Sequence, residues 1–198
     1  MISTVLFDLD GVIRHFDHEV GARIERRLGI APGEIPRIAF SGTRLQRLTT
    51  GRLSRVDWIA GIGEELGDRA AAEEWGGQPS LLDEEVLSLV EELVACGIRA
   101  AILTNGSDAT AEETAALGLD SRFDPIFNTA DIGVAKPDAR AFTHVLDALG
   151  AEPGSVLFTD DTPANVTAAQ ALGIRAHRFR DARSLRMALR EHGVALGA

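Results

Sequence analysis

Short apolar runs that stop at carboxylate, hydroxyl or amide residues set the frame for this chain. Val5-Leu6-Phe7 runs into Asp8-Leu9-Asp10-Gly11-Val12, and Ile98 to Leu103 ends at Thr104-Asn105-Gly106. Pro125 to Asn128 is a third run, Ser155 to Thr159 ends at Asp160-Asp161, and Ile174 to Arg178 is the last. Runs of this kind read as strands buried on both faces, the signature of a parallel sheet. Helical periods fill the gaps between them. Asp83 to Cys96 places Val86, Leu89, Val90, Leu93 and Val94 on one side, with Gly97 suited to end the helix. Ala109 to Leu117, Pro137 to Leu149, Pro163 to Leu172 and Ala182 to His192 follow. Pro137 suits a first helical turn and Asp138 the positive end of the helix dipole. The alternation predicts an α/β fold with a doubly wound, mostly parallel sheet.

The segment after the first strand breaks this rhythm. From about His18 to Gly77 the pattern is helical, with Ile24, Leu28 and Ile30, then Ile35, Ile38 and Phe40, as apolar patches. Val56, Ile59, Ile62 and Leu66 are spaced for one helix face. Gly76-Gly77-Gln78-Pro79 closes the block as a linker. Residues 1–16 and 80–198 are therefore expected to form the α/β core, and 17–79 a helical domain inserted after strand one.

A chain of 198 residues is long enough for one sizeable core and a small appendage. The formal net charge of -10 disfavours nucleic acid and anionic membranes as partners. Cys96 is the single cysteine, which excludes an intrachain disulfide, and its place beside an apolar helix face predicts a buried thiol. No apolar run is long enough to cross a bilayer, and a cytoplasmic location is the default expectation.

Parallel strands bring their C-terminal ends to one edge, where ligands bind in open α/β sheets. Asp8 and Asp10, Thr104 and Asn105, Lys136, and Asp160 with Asp161 would converge there. Two carboxylates as close as Asp8 and Asp10 need a cation or a shared proton. Asp8 is placed to attack phosphorus and Asp10 to protonate the leaving oxygen. Asp161 is a natural further carboxylate for Mg²⁺, which prefers oxygen ligands. The Thr104 hydroxyl and the Asn105 backbone N–H would hold phosphoryl oxygens, and Lys136 would neutralise charge on Asp8 and the transferring group.

These residues resemble, in order, the four motifs of the haloacid dehalogenase-like (HAD) hydrolases. Motif I is Asp8-Leu9-Asp10-Gly11-Val12 and motif II is Ile102-Leu103-Thr104. Motif III is Ala135-Lys136-Pro137, and motif IV is Phe158-Thr159-Asp160-Asp161 with Asn165 following. The resemblance implies that Asp8 is the nucleophile and Asp10 the general acid, then base. It implies Mg²⁺ held by the Asp8 carboxylate, the Asp10 backbone carbonyl and the Asp161 carboxylate. Asp160 would ligate through a water or orient Lys136. The helical insertion resembles a C1-type cap whose opening and closing gates the entry of a small phosphorylated metabolite.

Dehalogenases proper lack the second aspartate of motif I, so Asp10 points to phosphoryl chemistry. The expected activity is Mg²⁺-dependent hydrolysis of a small phosphomonoester through an aspartyl-phosphate. A phosphomutase shares all four motifs. A phospho-accepting receiver module also combines aspartates, a threonine and a lysine, but its adjacent acidic pair lies at the first strand, whereas here it is late. A member that only binds ligand is the third alternative. In the insertion and the stretch before it, Arg14, His15, Arg44, Arg52, Arg55 and Trp58 are candidates to touch substrate. His18, His144, His177 and His192 have no metal-ligand spacing, and the arginines from Arg175 to Arg186 read as a solvated face.

Overall fold

The computed structural model describes residues 1–197. In chain order its elements are β1 (Thr4–Phe7), β2 (Arg14–Phe16), then five helices: α1 (His18–Leu28), α2 (Glu34–Ala39), α3 (Gly42–Thr49), α4 (Arg55–Leu66) and α5 (Arg69–Gly76). They are followed by β3 (Ser80–Leu82), α6 (Glu84–Ala95), β4 (Arg99–Thr104), α7 (Thr110–Ala116), β5 (Ile126–Asn128) and α8 (Thr129–Ile132). The chain ends with α9 (Ala139–Leu149), β6 (Val156–Asp160), α10 (Pro163–Ala171), β7 (Arg175–Arg178) and α11 (Ala182–Glu191).

Five strands form one parallel sheet in the order β5-β4-β1-β6-β7. The winding runs outward from β1 to β5 on one side and then restarts at β6 on the other. β1 and β6 therefore flank the switch point, where the helices on either side leave a crevice beyond the strand ends. Alternate residues of β1 supply both layers. Val5 and Phe7 pack with Leu89, Leu93 and Leu185 of α6 and α11, whereas Leu6 packs with Phe142 of α9 and Ala169 of α10. The doubly wound α/β fold follows directly from this two-sided burial.

Local chemistry sets the helix ends. The Asp83 side chain accepts the backbone N–H groups of Glu85 and Val86 and starts α6. Asp138 does the same for Arg140, so α9 begins at Ala139 and Pro137 lies just before the helix rather than in its first turn. Two apolar assignments on these faces are corrected. Val94 is 53% exposed, because the buried stripe of α6 runs through Val86, Leu87, Leu89, Val90 and Leu93. Cys96 is exposed, with Sγ 3.4 Å from the carbonyl oxygen of Ala195, because it follows the last turn of α6 and lies beyond that stripe.

The helical block from α1 to α5 packs on itself. Ile38, Leu48, Trp58, Ile62 and Ala72 make one cluster, and Val20, Ile24, Ile35 and Ala71 another. Val56 and Phe40 are exposed, since α4 turns Trp58 and Ile62 inward and leaves Val56 on the outer side. The two chain passages between block and sheet, to which the sequence assigns no strand, pair as an antiparallel ribbon. Arg14 faces Leu82 and Phe16 faces Ser80. Three-residue strands carry too little periodicity to announce themselves, and pairing satisfies their backbone groups.

The block also touches the α/β layer. Thr129 Oγ1 donates to the carbonyl oxygen of Thr49 at 2.8 Å. Gly51 has φ +71°, and a Cβ there would collide with the carbonyl oxygen of Ala130, so only glycine allows this approach. No helix among the described residues is long and apolar enough to cross a membrane.

Candidate active site

Register places the first pair. Phe7 of β1 is opposite Thr159 of β6, and the Asp8 N–H donates to the Thr159 carbonyl oxygen at 2.9 Å. The next residues, Asp8 and Asp160, therefore stand side by side on the face that carries Leu6 and Phe158. Both are buried, at 7% and 0% exposure. Two carboxylates cannot remain ionised there without a cation. Lys136 supplies it, donating from Nζ to Asp8 Oδ1 and to Asp160 Oδ2, each at 2.8 Å. The same ammonium lies 5.3 Å from the centre of the Phe158 ring.

The remaining capacity of Asp160 is taken up locally. Oδ1 accepts the Thr162 N–H at 2.8 Å, and the Asn165 amide donates to both oxygens at 3.1 and 3.0 Å. Asp161, one residue on, is exposed. One carboxylate oxygen each of Asp8, Asp160 and Asp161 lies within 4.8 Å of the others. Gly11, with φ +90°, is the floor of this cluster: a Cβ on it would lie 2.6 Å from Asp161 Oδ2.

Burial pushes the Asp8 carboxyl up, Lys136 pulls it down, and Asp160 and Asp10 raise it again, leaving it at about 7. Burial works against the charge on Lys136, but Asp8 and Asp160 outweigh it and hold the lysine above its ordinary value.

Thr104 closes β4 and is 2% exposed. The Asn105 side chain has a role that sequence reasoning missed. Its Nδ2 donates to the Lys136 carbonyl oxygen at 3.0 Å, and its Oδ1 accepts the Lys136 N–H at 2.9 Å. The amide thus clips the backbone that carries the lysine, two residues that are 31 positions apart in the chain. Nothing in the sequence around Asn105 signals this, because the contact exists only once β4 and the loop after α8 are adjacent.

Asp10 is not part of this three-carboxylate cluster and pairs with Arg14. Arg14 donates from Nε to Asp10 Oδ1 at 2.6 Å and from Nη2 to Oδ2 at 3.1 Å. Arg14 also donates from Nη1 to Glu113 Oε2 at 2.8 Å, and Glu113 Oε1 lies 3.1 Å from Arg55 Nε. Arg14 and Arg55, read from sequence as candidates to touch substrate, are thus engaged with protein carboxylates. Arg44 pairs with Glu65 and donates to the Ile38 carbonyl oxygen. His15 lies 3.4 Å from Asp83, and Arg52 is exposed. Trp58 is a core residue, 8% exposed, with Nε1 donating to the Ala39 carbonyl oxygen.

Comparison with known proteins fits this arrangement. The family profile described as haloacid dehalogenase-like hydrolase matches residues 2–173. Validoxylamine A 7'-phosphate phosphatase of Streptomyces hygroscopicus subsp. limoneus is 25% identical over 184 residues, covering 88% of this chain and 84% of its own. The GMP/IMP nucleotidase YrfG of Escherichia coli is 29% identical over 179 residues, covering 88% and 81%. A HAD family enzyme of Bacteroides thetaiotaomicron, crystallised with magnesium and inorganic phosphate, superposes with a TM-score of 0.76 at 20% identity, covering 91% of this chain and 96% of its own. With a family match that spans most of its length, this chain belongs to the haloacid dehalogenase-like hydrolases.

Proposed function

We propose that the protein is a Mg²⁺-dependent phosphatase that hydrolyses a small phosphomonoester through an aspartyl-phosphate on Asp8. The observation that carries this reading is the buried Asp8 carboxylate, salt-bridged to Lys136 at 2.8 Å and within 4.8 Å of Asp161. The donor set suits magnesium: hard carboxylate oxygens gathered over a glycine, with room on the exposed Asp161. Asp8 and Asp161 would hold the ion with the Asp10 backbone carbonyl. Asp160, whose oxygens are already occupied, would orient Lys136 instead. When bound, the ion would supply positive charge to the phosphoryl oxygens.

The protein's own residues do the rest. One Asp8 oxygen attacks phosphorus, the bond from phosphorus to the ester oxygen breaks, and Asp10 gives that oxygen its proton. Asp10 then takes a proton from water, which attacks the phosphorus of the aspartyl-phosphate, releasing phosphate and the Asp8 carboxylate. Lys136 stays charged against Asp8 throughout. Thr104 and the Asn105 N–H, at the end of β4, would receive phosphoryl oxygens. The helical block, residues 17–79, would act as the cap over this edge and carry substrate selectivity. The named relatives are a validoxylamine A 7'-phosphate phosphatase and a GMP/IMP nucleotidase, which supports a small phosphorylated metabolite as the substrate class.

The decisive experiment is hydrolysis of p-nitrophenyl phosphate with Mg²⁺ by Asp8→Asn. Loss of turnover, with activity of the wild type removed by EDTA and restored by Mg²⁺, is the expected result. Retained turnover in Asp8→Asn would remove the nucleophile assignment.

A further inference from the structure

The loop between β4 and α7 is bonded inward along most of its length. Asn105 commits its side-chain amide to the backbone of Lys136. Ser107 is fixed at three atoms. Its N–H donates to Thr110 Oγ1 at 2.8 Å, its carbonyl oxygen accepts from Asn128 Nδ2 at 2.8 Å, and its Oγ accepts the Ala109 N–H at 3.2 Å. Ser107, Thr110 and Asn128 are all buried. The Asn105 N–H, by contrast, has no acceptor among the described residues.

The two side chains that hold Ser107 come from different elements. Thr110 opens α7, and Thr114 Oγ1 donates to its carbonyl oxygen at 2.9 Å, which fixes that first turn. Asn128 ends β5 opposite Thr104 of β4. Its Oδ1 accepts the Ala130 N–H at 3.2 Å, and its Nδ2 also donates to Asp131 Oδ2 at 3.2 Å. An acceptor at one end and a donor at the other is what an amide offers. An aspartate of the same shape would set an oxygen against the Ser107 carbonyl oxygen. Between the two side chains lies Gly106. A Cβ there would collide with Thr110 Oγ1 and lie 2.7 Å from Asn128 Oδ1. The φ of Gly106 is outside the left-handed region, so the absence of a side chain answers to space alone.

We propose that Asn128 and Thr110 are positioning residues for phosphoryl binding. They grip Ser107 by its carbonyl oxygen and its N–H, and so set where Thr104 and the Asn105 N–H stand at the end of β4. The inference rests on the reading of those two groups as phosphoryl ligands. Donors that receive developing charge act only when fixed beforehand. A loop of this kind has no apolar packing of its own to fix it, and the two buried polar side chains supply that constraint. Neither Asp8 nor Asp161 is hydrogen-bonded to the loop among the described residues, so metal binding and phosphoryl binding are separable.

The test uses the full chain with p-nitrophenyl phosphate, inorganic phosphate as competing inhibitor, and Mg²⁺ titration. Thr110→Val removes the acceptor for the Ser107 N–H without changing shape, and Asn128→Asp removes the donor to its carbonyl oxygen. Each should lower kcat/KM by about 10–100-fold, the scale of a displaced binding group. Inorganic phosphate should inhibit both variants more weakly, and their Mg²⁺ affinity should stay at the wild-type value. Thr110→Ser keeps the hydroxyl and should recover most of what Thr110→Val loses. The double variant should lose less than the product of the single losses, since both act on Ser107. Phosphate inhibition unchanged while turnover falls, or Mg²⁺ affinity falling in step with turnover, would overturn the proposal. If Asn128→Asp does not fold, the Thr110 variants decide alone, and wild-type kcat/KM in Thr110→Val overturns it. Asp8→Asn separates the two levels of inference. If it is inactive and the loop variants behave as wild type, the positioning role fails and the phosphatase reading stands; if it still turns over, that reading itself fails.

Discussion

Lys136 donates from Nζ to Asp8 Oδ1 at 2.8 Å, and the lysine side chain is only 1% exposed. The same nitrogen is shared with Asp160 at the same distance. On the proposed mechanism the lysine does two jobs, one in the fold and one in the reaction. Removing one partner of a buried ion pair leaves uncompensated charge, so Lys136→Met should cost about 3–5 kcal/mol of stability. It should also abolish measurable phosphatase turnover. Urea unfolding of the metal-free protein and steady-state kinetics measure the two effects separately.

Asn105 tests whether the lysine's backbone matters as well as its charge. Asn105→Asp keeps the acceptor for the Lys136 N–H and loses the donor to its carbonyl oxygen. Asn105→Ala loses both. Each lost bond should destabilise by about 1 kcal/mol, and turnover should fall further in Asn105→Ala than in Asn105→Asp. Thermal unfolding together with kcat gives the comparison.

The pH dependence has a definite sign. The Asp8 carboxyl is raised from 3.8 to about 7, so between those values the folded chain holds a proton that the unfolded chain has released. The contribution of Asp8 to the stability of the metal-free protein is therefore present at low pH and is lost as pH rises toward about 7. Asp8→Asn should remove this slope from the difference between the two stability profiles. With Asp8 as the proposed ligand, Mg²⁺ would have to displace the same proton, so Mg²⁺ affinity should rise with pH through the same window and level off above it. Calorimetric titration with Mg²⁺ at several pH values checks both the slope and the proton release.

Gly11 tests the metal site. Its φ of +90° and the 2.6 Å approach of Asp161 Oδ2 to a Cβ mean that Gly11→Ala must push Asp161 aside. Mg²⁺ affinity should drop by about 10–100-fold, the range seen when groups around a metal are displaced. Titration with Mg²⁺ measures this directly, and an unchanged affinity would show that Asp161 is not a ligand.

Glu25 concerns the helical block alone. It is 4% exposed, and its two oxygens accept the N–H groups of Gly33 and Ile35 at 2.8 and 2.9 Å, capping α2 from a distance. The N-terminus of α2 has no side-chain cap of its own. Glu25→Ala should destabilise the block by about 2–3 kcal/mol, the upper range for a charge-assisted bond. Hydrogen exchange should show loss of protection in α1 and α2, with the sheet strands little affected.

The order of strands and helices was legible because each buried strand is a short apolar run and each helix has an apolar stripe. Those signals are local, and the doubly wound fold follows from them. The grouping of Asp8, Lys136, Asp160 and Asp161 was legible for a related reason: parallel strands all end at one edge, so polar residues at several strand ends must meet there. Where a signal is not local, reading failed. Cys96 and Val94 sit next to an apolar stripe in sequence, yet only the direction in which α6 packs decides that they face water. The ribbon of β2 and β3 is made of residues 66 positions apart at its centre, His15 and Leu81, and neither half is a strand by its own pattern.

The sequence by itself determined which residues reach the sheet edge, because strand length and ending are written in contiguous residues. Only the tertiary structure decided what each side chain does there. Asn105 turns to the backbone of Lys136, Asp160 is fully occupied by Asn165, Thr162 and Lys136, and Asp10 is held by Arg14. Hydrogen bonds and ion pairs act over about 3 Å, so they depend on which segments fold side by side. Separation along the chain carries no record of that.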